Sequence, residues 1–257
     1  MSLTSLALRL AAPLPKPEQF QRYLFIGPHP DDIEIGAGAT AAKLAAAGKE
    51  ICFLVCTDGR FGLPNAPAGT TPEALISIRQ EEARRSARML GVTDLRFLGF
   101  SDGGFYDERE LVRAIAKVIG DFQPDVIFAP DPDVTSECHR DHLLVGCSAK
   151  ELACFAPYTA LMEGYGTVGA PVKVLAFYMT AKADSFVNTT GFFRKQLDAI
   201  FKCHVSQFPS GSDDARAMRL YLRLRAADFG LRCLAGTGEG FRVLDALHMH
   251  ALPEAGK

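Results

Sequence analysis

The stretch "GPHPDDIEIG", residues 27 to 36, sets His29, Asp31, Asp32 and Glu34 within six positions, directly after the apolar run "YLFI". Carboxylates that close repel one another unless something positive holds them together. A second pair of residues at the same spacing, His139 and His142, stands in "HRDH" with Asp141 between them. Two neutral imidazoles and one carboxylate make a three-ligand set suited to a catalytic Zn²⁺ with one position open for water. The plainer reading is that these are turn residues, since Asp and Pro are common after strands. Against it, three of the six histidines, His29, His139 and His142, fall on loops that a parallel sheet brings together.

The elements that position these loops read from the hydrophobic pattern. "YLFIG" is a buried strand, "GATAAKLAAAGKE" an Ala-rich helix closed by Gly48, and "ICFLVCTDG" a second strand ending in a polar turn. A helix from Pro72 to the Gly91 stop precedes the short strand "LRFLGF", and the helix "ERELVRAIAKVIGDF" precedes the apolar strand "DVIFAP". "DHLLVGCSAKELACF" continues at helical period, "VKVLAFYMT" is a further strand, and "FFRKQLDAIFKCH" and "DDARAMRLYLRLRAADFG" are closing helices. Strands alternating with helices imply a doubly wound, Rossmann-like α/β fold, a mostly parallel sheet with helices on both faces. No repeat or long linker divides the chain, so residues 1–257 are expected to form one domain with an N-terminal arm over 1–22. In such a sheet the ligand crevice lies beyond the carboxyl ends of the strands. That rule gathers "GPHPDDIE", "TDGRFG" and "PDPDVTSECHRDH" at one mouth.

Composition narrows the function. The 257 residues are 48% hydrophobic and 23% charged, with a formal net charge of -2. Without clustered Lys and Arg there is no electrostatic footprint for nucleic acid. Apolar runs such as "ICFLVC" fall far short of the roughly 20 residues a membrane span needs. The first twenty residues are apolar but interrupted by Arg9, which does not suit a secretory signal. Seven scattered cysteines without a Cys-x-x-Cys pair suit a reducing cytoplasm. Cys52 and Cys56, four apart on one strand, are expected to face the same side as small hydrophobes. Nothing in the sequence excludes a homo-oligomer.

"GAGATA", residues 36 to 41, satisfies Gly-x-Gly-x-x-Ala, and Asp58 lies twenty positions after Gly38, as a ribose-binding acid would. A dinucleotide fingerprint needs its glycines at the strand-to-helix turn, where they meet the pyrophosphate. Here that turn holds His29, Asp31 and Asp32, whose carboxylates repel phosphate. Gly36 and Gly38 are read instead as permitting close helix–sheet packing.

"PHPDDIEIGAGAT" with the later "HRDH" resembles the PIG-L, or LmbE-like, family of zinc-dependent sugar N-deacetylases, whose hallmarks are His-Pro-Asp-Asp and a later His-x-Asp-His. "IRQEEARRSARMLGV", "FLGFSDG" and "RKQLDAIFKCHVSQ" resemble further segments of that family in order. The resemblance implies metal ligands at His29, Asp32 and His142, a general base at Asp31 and a partner for the oxyanion at His139. It also implies sugar-hydroxyl contacts at Arg79 and Asp102, and it matches His204, Ser206 and Gln207 without indicating their role. Asp141 either holds His139 protonated or is an acid favoured by a helix N-terminus. The chain departs from the commoner motif in placing Ile33 before Glu34, which is expected to lie outside the ligand set. Cys138, beside His139, is expected to point away from the metal.

The expected activity is hydrolysis of an N-acetyl group from a small GlcNAc-type glycoside or nucleotide sugar, releasing acetate and a free amine. The same machinery suits an amidase acting on a thiol conjugate or other non-sugar amide. A nucleotide-binding protein without hydrolytic activity is the third reading, and metal content separates it from the other two.

Overall fold

The structure, a computed structural model, describes residues 10–251. Part of the expected N-terminal arm, residues 1–9, therefore lies outside the described residues. From Arg22 the chain runs β1 (Arg22–Gly27), α1 (Asp32–Ala46), β2 (Glu50–Thr57), α2 (Pro72–Leu90), β3 (Asp94–Phe100), α3 (Glu108–Phe122), β4 (Val126–Pro130) and α4 (Arg140–Phe155). It continues through α5 (Thr159–Gly164), β5 (Val174–Tyr178), β6 (Ser185–Asn188), α6 (Phe193–Cys203), α7 (Asp213–Arg232), β7 (Gly238–Asp245) and α8 (Ala246–His250).

The strands form one seven-stranded sheet in the order β3-β2-β1-β4-β5-β7-β6. The first five pair in parallel, whereas β7 runs antiparallel to both β5 and β6. The doubly wound expectation therefore holds, with a correction at the C-terminal edge, where two strands flank or follow the expected closing helices. Strand β7, "GEGFRVLD", hides its nature because Glu239 and Arg242 interrupt the apolar run. Both are buried, and Arg242 is satisfied by a forked ion pair with Asp131 and a second contact to Asp133.

Central strands are apolar on both faces because both are covered by helices. Leu24 and Ile26 of β1 pack with Leu111 and Ile115 of α3 and Val145 of α4. Tyr23 and Phe25 turn to the other face, with Ile33 and Ala41 of α1 and Leu90 of α2. Each such side chain contributes roughly 1.5–3 kcal/mol on burial. Cys52 and Cys56 share the α3–α4 face as expected, and all seven cysteines are free. Helix ends follow local chemistry: the Thr71 side chain accepts from Ala74 N at 3.2 Å, and Gly91 closes α2 at φ 91°.

The chain leaves β1 for β2 on one side and returns to β4 on the other, so a crevice opens beyond the carboxyl ends of β1 and β4. Helix α1 can lie against the sheet there because Gly36 meets the Tyr178 ring. A Cβ at Gly36 would fall 2.1 Å from Tyr178 Cδ2. That ring cannot swing aside, since it is buried and its hydroxyl donates to Ile26 O at 2.8 Å. Gly36→Ala is expected to lower stability by about 1–3 kcal/mol in denaturant unfolding. Gly164→Ala, where nothing lies within 4 Å of the added carbon, should change it by less than about 0.5 kcal/mol. Equal unfolding midpoints for the two variants would remove this account of the helix–sheet contact.

Candidate metal centre

The turn between β1 and α1 carries three of the expected site residues. Asp31 sits at φ 147°, a backbone state that L side chains rarely adopt. Its N–H donates to His29 O at 3.0 Å and its carbonyl accepts from Ile35 N at 3.0 Å, so the strained residue is tied at both ends. The strain turns Asp31 and Asp32, neighbours in sequence, to different tasks.

Asp32 faces the histidines. Its Oδ2 accepts from His29 N at 2.9 Å, lies 3.0 Å from His29 Nδ1 and stands 3.4 Å from His142 Nε2. One ligand atom from each of His29, Asp32 and His142 falls within 4.8 Å of the others. The remaining ring nitrogens are held by carboxylates: His29 Nε2 by Asp102 Oδ1 and Asp141 Oδ2, each at 3.1 Å, and His142 Nδ1 by Glu137 Oε2 at 3.1 Å. A carboxylate behind an imidazole fixes the tautomer and leaves the opposite nitrogen free to ligate. Burial lowers the pKa of His29, but its bonds to Asp102, Asp141 and Asp32 outweigh burial and hold it well above the ordinary value. Burial likewise opposes the charged form of His142, and the Asp32 carboxylate overcomes it, raising the pKa to about 9. The three-residue point therefore calls for positive charge, and its donor set fits a divalent cation.

His29, Asp102, His139 and Asp141 form a second group within the same reach. Its carboxylates already accept other donors: Asp102 Oδ2 from Phe61 N at 3.2 Å, Asp141 Oδ2 from Gly103 N at 2.7 Å and Asp141 Oδ1 from the Tyr106 hydroxyl at 2.8 Å. These bonds make Asp102 and Asp141 the support of His29.

Three sequence expectations shift here: Asp102, expected at a sugar hydroxyl, is buried and gives its two oxygens to His29 Nε2 and Phe61 N. Asp141 was read either as holding His139 protonated or as a helix N-terminal acid; it lies in the first turn of α4, and its Oδ2 stands 3.8 Å from His139 Nδ1, too far for a hydrogen bond. Burial and the neighbouring His29 and His142 rings lower the His139 pKa against the pull of Asp141. The contact is one of charge alone, and the imidazole is biased to its neutral form. Arg79 was expected to meet a sugar, yet it is only 4% exposed and lies behind Asp31. Its Nη2 donates to Asp31 Oδ2 and Pro30 O, each at 3.1 Å, and its Nη1 to Gly59 O at 3.0 Å. Burial pushes the Asp31 carboxyl up to about 6 while the Arg79 charge pulls the other way.

Glu34 turns away from the ligands, accepting from Ser86 Oγ at 2.5 Å and meeting His204 Nε2 at 3.2 Å. His204 therefore has a place, bracing the back of the β1–α1 turn. Ser206 N donates to Glu82 at 2.8 Å, and Gln207 Nε2 donates to Gly62 O at 3.0 Å, tying the late segment to α2 and to the loop after β2. Glu137 escaped the sequence reading; its position five residues before His142 was the available signal.

The family model described as PIG-L: GlcNAc-PI de-N-acetylase matches residues 24–153, a range that contains His29, Asp32 and His142. The chain belongs to this family. It is 32% identical over 238 residues to the diacetylchitobiose deacetylase of Thermococcus kodakarensis, covering 91% of this chain and 87% of that one. It is 38% identical over 163 residues to the 1D-myo-inositol 2-acetamido-2-deoxy-alpha-D-glucopyranoside deacetylase of Kineococcus radiotolerans, covering 52% of this chain and 45% of that one. Among solved structures it is similar to the N,N'-diacetylchitobiose deacetylase of Pyrococcus horikoshii, with a TM-score of 0.87, 30% identity and coverage of 98% and 97%. A hydratase, GalB of Pseudomonas putida, shares the fold at 19% identity, so this PIG-L architecture does not dictate the reaction by itself. Among the described residues no helix is long and apolar enough to cross a membrane.

Metal titration tests the centre. The PIG-L chain is expected to take up about one divalent ion, and His142→Ala to lose it. Glu137→Gln should weaken binding by about tenfold to a hundredfold, because His142 loses the carboxylate that orients it. Unchanged affinity in Glu137→Gln would show that this carboxylate does not support the site.

Proposed function

We propose that the chain is a zinc-dependent N-deacetylase that removes the acetyl group from a GlcNAc-type sugar derivative, a glycoside or nucleotide sugar, releasing acetate and a free amine. One observation carries this reading. Asp31 lies next in sequence to the ligand Asp32, yet its carboxylate bonds to Arg79 and stands outside the His29–Asp32–His142 set. Such a group can accept a proton beside a metal without ligating it. The substrate class is supported by relatives named for acetamido sugars.

His29, Asp32 and His142 would hold the ion, and two imidazoles with one carboxylate suit tetrahedral zinc with one open position. When bound, a divalent ion with one carboxylate ligand keeps a net positive charge that acidifies water and polarises an amide carbonyl. Arg79 holds Asp31 Oδ2, leaving Oδ1 to take the proton from the attacking water. The same oxygen returns that proton to the nitrogen as the C–N bond breaks. His139, with its side chain 47% exposed at the opening, can donate one ring N–H to the developing oxyanion even when neutral. Asp102 and Asp141 keep His29 in register, and Arg79 acts through Asp31 as a positioning residue.

Asp31→Asn should keep the metal and lose about 10²-fold or more in kcat, because an amide cannot take the proton. Loss of metal with unchanged turnover per bound ion would reverse the roles of Asp31 and Asp32. Arg79→Ala should lower kcat more than it raises KM, since the guanidinium supports the base; a rise in KM alone would return Arg79 to the sugar. The activity itself is tested on a panel of N-acetylglucosamine glycosides, sugar nucleotides and acylated thiol conjugates, scored for acetate and new primary amine. Turnover restricted to the thiol conjugates would replace the sugar assignment with the amidase reading.

A further inference from the structure

Helix α7 leaves a row of large apolar side chains in water. Leu220, Leu224 and Leu231 are 59%, 62% and 76% exposed, and Leu234, just past the helix end, is 97% exposed. At the helical period Ala217, Leu220, Leu224, Ala227 and Leu231 fall on one narrow stripe, and all five are exposed. The helix cannot roll to hide them, because its other side is already buried through Ala215, Leu222, Ala226 and Gly230. Leu222 packs with Leu197, Ile200 and Phe208, and a Cβ at Gly230 would fall 2.9 Å from Ala235 O. Grouped apolar exposure of this kind marks an interaction face.

The stripe is complementary to itself. Its positions, 217, 220, 224, 227, 231 and 234, are spaced three, four, three, four and three, so the series reads the same from either end. A second copy run antiparallel sets Leu220 against the other copy's Leu231, Leu224 against its Ala227 and Ala217 against its Leu234. Each alanine then faces a leucine, so large side chains fill the gaps that small ones leave. The flank agrees with the stripe. Tyr221 and Asp228, seven apart, border it on the same side, and the Tyr221 hydroxyl accepts from Arg225 Nη1 at 2.5 Å while keeping its own hydrogen to donate. In the antiparallel register that hydroxyl and Arg225 come within about one turn of the other copy's Asp228 carboxylate. Opposed helix dipoles favour the same orientation. An anionic lipid surface suits this face less well, because the exposed carboxylates of Asp213 and Asp228 stand along it.

We propose that α7 is a self-association face, on which two copies of this chain dock antiparallel about a two-fold axis passing between Leu224 and Ala227. Such a contact is isologous, each copy offering the same residues to the other, and so it closes as a pair. None of these residues belongs to the candidate metal centre, and the dimer and the deacetylase reading stand or fall separately.

Sedimentation velocity of the full chain should show a dimer at micromolar concentration. Leu220→Glu combined with Leu231→Glu should raise its dissociation constant by about a hundredfold or more, since four leucines of the contact become charges. Metal uptake and far-UV circular dichroism of that variant should match the parent's, because both positions are exposed in the single chain. Cross-linking reads the orientation in a Cys233→Ser background. On oxidation, a mixture of Leu220→Cys and Leu231→Cys chains should give a disulfide-linked dimer, whereas neither variant alone should exceed the Cys233→Ser chain. A monomeric parent, or a dimer that the two Glu substitutions leave intact, overturns the proposal, and self-cross-linking of Leu220→Cys alone overturns the antiparallel arrangement. A monomeric parent that binds phosphatidylserine vesicles and loses them on the same Glu substitutions gives the face to a lipid surface instead.

Discussion

The His29 imidazole is the node on which the site depends. Asp32 holds one ring nitrogen, Asp102 and Asp141 the other, and these acids come from the first turn of α1, the loop after β3 and the first turn of α4. Acids gathered this closely are tolerable only around positive charge, so the loops after β1, β3 and β4 share one electrostatic requirement. The requirement couples folding to ligand binding: the elements that bring the acids together also create the point that a cation satisfies. Glu137 repeats the arrangement at His142, so both imidazoles of the candidate metal centre have a carboxylate behind them.

The second constraint is the separation of two adjacent aspartates. Asp31 and Asp32 leave the backbone in different directions because Asp31 adopts a positive φ, and Arg79 then fixes it. Without the guanidinium, a buried carboxylate beside Asp32 would relieve the repulsion by taking a proton or by joining the ligands. Arg79 thus keeps Asp31 ionisable and turned away from the His29–Asp32–His142 cluster at once. This is why a residue on the far side of the turn bears on the chemistry although it does not face the opening.

Much of this was legible in the sequence, and the gaps have physical causes. The His-x-x-Asp and His-x-x-His spacings marked the two segments that a parallel sheet brings together, and the resemblance to the family chose His29, Asp32 and His142 among their side chains. The helices over 72–90 and 108–122 were legible because caps and period agreed. What escaped was partner choice. Asp141 is adjacent to Arg140 and His142 in sequence, but its carboxylate serves His29, more than a hundred residues away. Arg79 resembles a sugar contact until the strand turn it bonds to is in place. Strand β7 was lost for the same reason, since Arg242 suits a buried strand only when Asp131 is opposite.

That unread strand also braces the helix that starts at the metal centre. Helix α1 breaks its regular geometry at Ala37, φ -150°, and a helix that restarts exposes backbone N–H groups that need partners. Glu239 of β7 supplies them, accepting from Ala39 N at 3.1 Å and Thr40 N at 2.7 Å. Gln196 of α6 donates to the same carboxylate and to Glu34 O, each at 2.8 Å, and so carries the connection back to the turn. Glu34 in turn meets Ser86 of α2 and His204 at the end of α6. A buried chain of polar contacts thus runs from the antiparallel edge of the sheet to the residues just after Asp32. In a dry interior each of these groups would be costly if left unpaired, so they hold together or fail together. The strain at Asp31 can persist because the helix following it is anchored on three sides.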